Sequence, residues 1–174
     1  MIKIYSKNTK KLTKKDIKQI CLLKKSEWKK YTIKSQLEFF KNNYKSKDIH
    51  NCLYIGKFLV AYNALKKREI RINFKIIKYI IFDSLVVRKS KRNLKLSYKI
   101  MHLSNRIITK NKKISFLMCE KKLIGFYKKH NWKIVDKKKF KIVDLKLKSV
   151  GMIFNGSIKD FNKLQKPVNI YLKK

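Results

Sequence analysis

The spacing of hydrophobic residues changes several times along this chain, and each change marks an element. Ile2-Lys-Ile-Tyr5 alternates like a short first strand. Thr13-Lys-Lys-Asp16 is a variant of the capping box. Behind it Ile17, Ile20, Cys21 and Trp28 recur near helical spacing, which predicts a helix over residues 14–30. Ser35-Gln-Leu-Glu38 opens a second, shorter helix carrying Leu37, Phe40 and Tyr44. Strand patterning follows: Cys52 to Ile55, a Gly56-Lys57 turn and Phe58 to Tyr62 read as a hairpin, with 68–74 as its continuation. Ile76 to Val87 is a nearly continuous apolar run, the mark of a strand in the middle of a sheet.

That run ends in Leu85-Val-Val-Arg-Lys-Ser-Lys-Arg-Asn-Leu-Lys-Leu-Ser97, where a basic turn opens into an amphipathic helix. Such a junction aims the first backbone N–H groups of the helix at an anion. Leu96, Ile100, Leu103 and Ile107 are predicted to share the buried face. Ile114 to Met118 is a second buried strand, and 121–130 a short helix ending near Asn131. Further strands are predicted at 132–135, 142–145 and 150–154. The result is a mixed α/β sandwich whose two buried strands, joined by a helix, form a right-handed crossover.

Composition changes this picture little. A length of 174 residues suits one domain spanning 1–174, with enough chain to bury a core. Its 44% apolar and 12% aromatic content excludes a disordered polyelectrolyte, despite a formal charge of +38. The charge points towards nucleic acid or another polyanion. Yet 43 of the 48 basic residues are lysine, while arginine is what phosphate forks and base edges prefer. Abundant Lys, Ile, Asn, Phe and Tyr also match the codon bias of an AT-rich genome. A solvated surface and a selected polyanion surface, binding nonspecifically, therefore both stay open.

Cys21, Cys52 and Cys119 are odd in number and widely spaced, so they read as reduced thiols of a cytoplasmic protein. His50, His102 and His130 share no ligand spacing, and no metal is expected. The amino terminus lacks the apolar core of a signal peptide. Lys78 and Asp83 interrupt the greasiest window, which is too short to span a bilayer.

The turn and the segment after it resemble the GNAT superfamily of N-acetyltransferases. The family signature is a strand ending in Val, then Arg/Gln-x-x-Gly-x-Gly/Ala opening a helix. Val87, Arg92, Lys95 and Ser97 keep its register, with Lys95 at the first key glycine and Ser97 at the final small position. A second signature has an Asn ahead of a Tyr, then Gly-Phe or Gly-Trp. Glu120 replaces that Asn, Tyr127 falls on the tyrosine, and Asn131-Trp132 replaces Gly-Trp. The likeness covers about 52–135 and looks nearest to the aminoglycoside 2′-N-acetyltransferase and nodulation acyltransferase branch.

The resemblance implies a GNAT-type α/β fold: a largely antiparallel central sheet with a splayed strand pair, flanked by about four helices. It also implies acetyl-CoA, or another acyl-CoA, as cosubstrate. Amides of Arg92, Asn93, Leu94, Lys95, Leu96 and Ser97 would cradle the pyrophosphate, with charge from Arg88, Lys89 and Lys91. Backbone groups of Leu85, Val86 and Val87 would pair with the pantetheine arm like a strand edge. Glu120 and Tyr127 would contact the cofactor.

For the chemistry, Tyr127 is the expected general acid. Direct amine attack expels a thiolate whose conjugate acid has a pKa of about 8.5, which a phenol near ~10 can protonate. Its alternative is a core aromatic beside Phe126. Asp83, in an otherwise apolar strand, is the candidate base or else an outward residue at a bulge; Glu120 and Glu69 are weaker choices. Cys119 is expected to be a packed thiol, and Trp28, His50 and Trp132 to pack rather than recognise substrate.

The chain thus reads as an N-acyltransferase using a primary amine on a small molecule or protein. Its rivals are a noncatalytic basic nucleic-acid-binding protein, and a GNAT fold that binds coenzyme A without turnover. Aminoglycoside acceptors want a carboxylate-lined cleft, and only ten acidic residues are present. The tail from Asn155 to Lys174 is read as either an acceptor wall or a homodimer contact.

Overall fold

Thr13 caps the first helix as the sequence pattern requires. Its hydroxyl accepts from the Asp16 amide at 3.1 Å, while the Asp16 carboxylate accepts from the Thr13 amide at 2.9 Å. This capping box belongs to a computed structural model that describes residues 1–72, 74–143, 148–156 and 167–172. Among these, the elements run β1 (Ile2–Asn8), α1 (Lys14–Glu27), α2 (Ile33–Asn43), β2 (Ile49–Ile55), β3 (Phe58–Ile72), β4 (Lys75–Val87) and α3 (Leu96–Lys110). There follow β5 (Ser115–Glu120), α4 (Ile124–Lys128), β6 (Lys133–Ile134), β7 (Phe140–Ile142), β8 (Ser149–Phe154) and β9 (Val168–Ile170). Seven strands form a mixed central sheet in the order β1-β2-β3-β4-β5-β8-β6. Its pairs are antiparallel except for β4 with β5, among the registers described. The fold is a mixed, largely antiparallel α/β sheet with flanking helices.

Two compact units divide the chain, one of 1–67 with 82–104, the other of 68–81 with 105–174. In the first unit the pleat sorts side chains into two cores. Ile20, Cys21 and Leu23 of α1 and Phe40 of α2 pack with Cys52, Leu59, Tyr62, Ala64 and Val86. Leu53, Val60 and Ala61 pack instead with Leu96 and Ile100 of α3, joined by the half-buried Leu85 and Val87. In the second unit Phe116 of β5 anchors a core with Tyr79, Ile81, Phe140, Ile142 and Ile170. There β7 and β9 make a small parallel pair.

Several expected boundaries move. The first helix stops at Glu27 because Trp28 leaves helical geometry, with φ −100° and ψ 72°. Residues 58–72 are one unbroken strand, where a separate continuation was expected. On α3 the fully buried positions are Leu96, Ile100, Met101, Ser104 and Ile108, while Leu103 and Ile107 are half-buried. The four predicted residues do share one face at 3.6 residues per turn, but the helix packs rotated about its axis, so that the buried arc centres near Ser104 and leaves Leu103 and Ile107 at its edge. A 3-10 helix over Lys89–Leu94 precedes α3, so the sheet-to-helix junction is longer than a simple turn. The short helix at 121–130 is a 3-10 turn, Lys121–Leu123, followed by α4. Of the strand expected at 142–145, Ile142 ends β7 and 144–145 fall outside the described residues, as does most of the 155–174 tail. Among the described residues no helix is long and apolar enough to cross a membrane.

Candidate active site

Val87 hands the chain to a basic turn that the first unit pins from both sides. The Arg88 amide donates to the Val60 carbonyl at 2.8 Å, and its Nη2 to the Leu59 carbonyl at 3.3 Å. Its Nε is buried with no hydrogen-bond partner, a donor that an incoming oxygen would satisfy. Arg92 donates to the Val87 carbonyl and pairs with Glu27 on α1. Lys89, Arg92, Asn93, Leu94 and Lys95 are exposed, and Lys91 and Ser97 half-buried. Leu96 alone is fully buried there, anchoring the start of α3 in the core.

Lys95 is left-handed, with φ 52° and ψ 27°. That is the conformation glycine adopts at least cost, and Lys95 occupies the glycine position of the signature. Asn131, at the other altered glycine, is left-handed too, at φ 64°. Both substitutions keep the backbone that glycine would supply. The turn, with its helix terminus, five basic side chains and an unsatisfied buried guanidinium donor, fits a phosphate group.

Upstream on β4, Leu85 and Val87 face the α3 core and Val86 the α1 and α2 core. Ser84 sits at φ 60°, a left-handed residue inside a strand, which interrupts the pleat as a bulge does. Beside it Asp83 is half-buried and accepts a 2.9 Å hydrogen bond from Tyr44. Asp83 therefore stands beside an irregular point of the strand, half-buried and not fully outward. Burial pushes the Tyr44 phenol well above its ordinary range, helped by the Asp83 charge. Lys24 of α1, only 4% exposed, donates to the Tyr44 oxygen at 3.4 Å and lies over the Phe39 ring. Burial pulls its ammonium down from the usual value while Asp83 holds it up.

In the second unit Tyr127 is 6% exposed on α4, packed edge-on against Phe126 and Trp132. Burial raises its phenol, with a smaller push from Cys119, so it stays protonated throughout the neutral range. Cys119 contacts the Met152 sulfur at 3.7 Å, and burial pushes its thiol up to about 11, which suits a packed, unreactive cysteine. Glu120 ends β5 exposed and ion-paired to Lys122 at 2.8 Å. The hydrogen bond to Lys122 lowers its carboxyl below the usual range. Trp132 packs, donating to Asn105 Oδ1 at 3.1 Å. Glu69 is exposed, Trp28 half-buried against the Lys24 ammonium, and His50 fully buried.

Solved structures of similar fold decide the architecture. ElaA of Escherichia coli superposes with a TM-score of 0.67 at 14% identity, covering 88% of this chain and 99% of its own. An acyl-CoA N-acyltransferase from Pseudomonas aeruginosa gives 0.67 at 15%, with the same coverage. An aminoglycoside 6′-N-acetyltransferase complexed with coenzyme A gives 0.59 at 12%, covering 86% of this chain and 96% of its own. The chain has the GNAT fold. No protein-family model matches the sequence, and no curated protein does.

Within this GNAT fold, sequence reasoning singled out the β4 to α3 turn, Asp83 and Tyr127. It missed the buried polar cluster around Asp83: Lys24, Lys66, Tyr44 and Tyr62. One signal was available. Lys24 continues the helical series of Ile17, Ile20 and Cys21, so the spacing itself put an ammonium on the buried face.

Proposed function

We propose that the chain is an acyl-CoA-dependent N-acyltransferase, with acetyl as the first acyl group to test. The Val87 to Ser97 turn carries this reading. Its left-handed Lys95 keeps the glycine geometry of an anion cradle, and Arg88 Nε lacks an acceptor. In the proposed reaction, amides of residues 93–97 and the side chains of Arg88, Lys89, Lys91, Arg92 and Lys95 hold the pyrophosphate. Leu85, Val86 and Val87 offer backbone groups to the pantetheine arm.

Acylation removes two protons from an alkylammonium. Asp83 accepts one of them, which leaves a neutral amine to attack the thioester carbonyl. The other offsets the proton that Tyr127 gives to the departing thiolate, so coenzyme A leaves as the thiol. A neutral or anionic primary amine, free or on a protein, suits a surface of this charge better than a polycation does.

Acetyl-CoA should raise the melting temperature, by about 2.7 kcal/mol of stabilisation at a hundredfold excess over Kd. Thiol release on adding a panel of amines then separates turnover from binding alone. Absence of any thermal shift, together with steeply salt-dependent binding of nucleic acid, would overturn the enzyme reading in favour of a basic nucleic-acid binder.

A further inference from the structure

Two opposite charges of the first unit meet at one phenol oxygen. Tyr44 Oη donates to Oδ2 of Asp83 at 2.9 Å and accepts from Nζ of Lys24 at 3.4 Å. Among the described residues Lys24 makes no ion pair, so the hydroxyl stands between the ammonium and the carboxylate. Lys24 is 4% exposed, while Asp83 is half-buried. The ring centroids of Phe39, Tyr44 and Trp28 lie 4.3, 5.5 and 5.8 Å from Nζ. Phe39 is exposed and Trp28 half-buried, so this ammonium lies directly beneath the surface.

Neither the rings nor the phenol completes Lys24. An ammonium has three donors and is best served by an anionic oxygen at about 2.7–2.9 Å. A single neutral hydroxyl at 3.4 Å falls short of that. Burying an ammonium without a carboxylate is costly, and an apolar side chain of similar length would pack among the same rings without that penalty. What the arrangement offers is a receptor, one positive and one negative group held apart by a hydroxyl. Lys66, 2% exposed, brings a second ammonium 6.0 Å from the Tyr44 ring centroid and adds positive potential there. Opposite charges spaced in this way complement a zwitterion whose ammonium and carboxylate share one carbon.

We propose that Lys24 binds the carboxylate of the acceptor, and that the acceptor is a free amino acid. This rests on the acyltransferase reading, with Asp83 as base. The acceptor enters past the exposed Phe39 ring, sets its ammonium against Asp83, and gives its carboxylate to the Lys24 donors that Tyr44 leaves open. Asp83 takes one proton, and the neutral nitrogen attacks the thioester carbonyl. A C–N bond forms, the C–S bond breaks, and coenzyme A leaves as the thiol. The carboxylate is unchanged, so a zwitterion enters, an N-acyl amino acid anion leaves, and one proton is released. A polycation would set its second ammonium against Lys24 and be rejected by like charge.

The test follows thiol release from acetyl-CoA by the full chain with three matched series of acceptors. These are the common L-amino acids other than cysteine, their carboxamides, and the primary amines left when the carboxylate is removed. At least one amino acid should show kcat/KM about tenfold or more above its own amide and amine. Lys24→Met keeps the length and the apolar contacts. It should raise KM for that amino acid about tenfold or more, with KM for the amide and the amine and Kd for acetyl-CoA unchanged. A packing defect would instead move all three acceptors together. Amides or amines used as well as amino acids, or a preference that survives Lys24→Met, overturn the assignment and leave the acyltransferase reading intact. Release only with polyamine or protein acceptors does the same. No release with any amine overturns both. Should Lys24→Met fail to fold, Lys24→Gln decides in its place.

Discussion

Tyr44 donates a hydrogen bond to Oδ2 of Asp83, and the pair joins a residue at the end of α2 to the interrupted middle of β4. The half-buried Asp83 is thereby held as an acceptor for the Tyr44 hydroxyl. Asp83→Asn keeps an oxygen for Tyr44 and removes the base. At neutral pH kcat should fall by about 10²–10⁴ with acetyl-CoA affinity unchanged, and it should recover once the amine arrives unprotonated. Steady-state kinetics over a pH series reads this directly; a flat pH response would remove the base assignment.

Tyr127→Phe takes away one hydroxyl from a buried ring that keeps its contacts with Phe126 and Trp132. Turnover should drop by about 10²-fold or more with little change in acetyl-CoA Kd. Calorimetric titration beside a thiol-release assay separates the two quantities. Unchanged turnover would make Tyr127 a packing residue.

Lys95 is held left-handed, which costs a side-chain-bearing residue about 1–2 kcal/mol relative to its preferred backbone. Lys95→Gly should therefore keep or raise the melting temperature, and Lys95→Val should lower it, because a β-branched residue tolerates this φ least. If Lys95→Gly also binds acetyl-CoA as tightly as wild type, the amides rather than the lysine charge do the holding. A melting series and a titration settle both points.

His50 is buried without charge, and desolvation pushes its imidazole down to about 4. The unfolded chain, with an ordinary histidine near ~6.5, binds more protons between these values. Stability should then be fully present above pH ~6.5 and fall as the pH drops towards 4, by on the order of 3 kcal/mol from this residue. Denaturant midpoints from pH 7 to 4.5 test the sign. His50→Gln should lower stability at neutral pH and flatten the acid slope; an equal slope would assign it elsewhere.

Local signals were legible where one residue type answers one backbone demand. Thr13 with Asp16 forecast the start of α1, and Gly56 the turn before β3, because caps and turns are read from a few neighbouring residues. The apolar runs from Ile76 and from Ile114 placed β4 and its parallel partner β5. The family signature located the turn even though Lys95 and Asn131 replace its glycines, since both still take up positive φ. What stayed hidden was long-range. Nothing in the neighbourhood of Tyr44, Tyr62 or His50 says that residues 12 to 39 positions apart share hydrogen bonds. The left-handed Ser84 was equally silent, because serine carries no signature of that conformation.

Ser84 has a consequence for how this strand tolerates change. A single residue out of phase lets Asp83, Ser84 and Leu85 all sit half-covered in succession, before Val86 resumes the interior. Deleting it would restore a regular zigzag with Asp83 and Val86 still on the α1 and α2 side and Leu85 and Val87 still on the α3 side, so what would be lost is the local bend and not the sorting of the faces. Ser84→Gly should be accepted, because glycine adopts this φ at least cost, and an insertion or deletion one residue further along the regular part of the strand is what would turn its faces over.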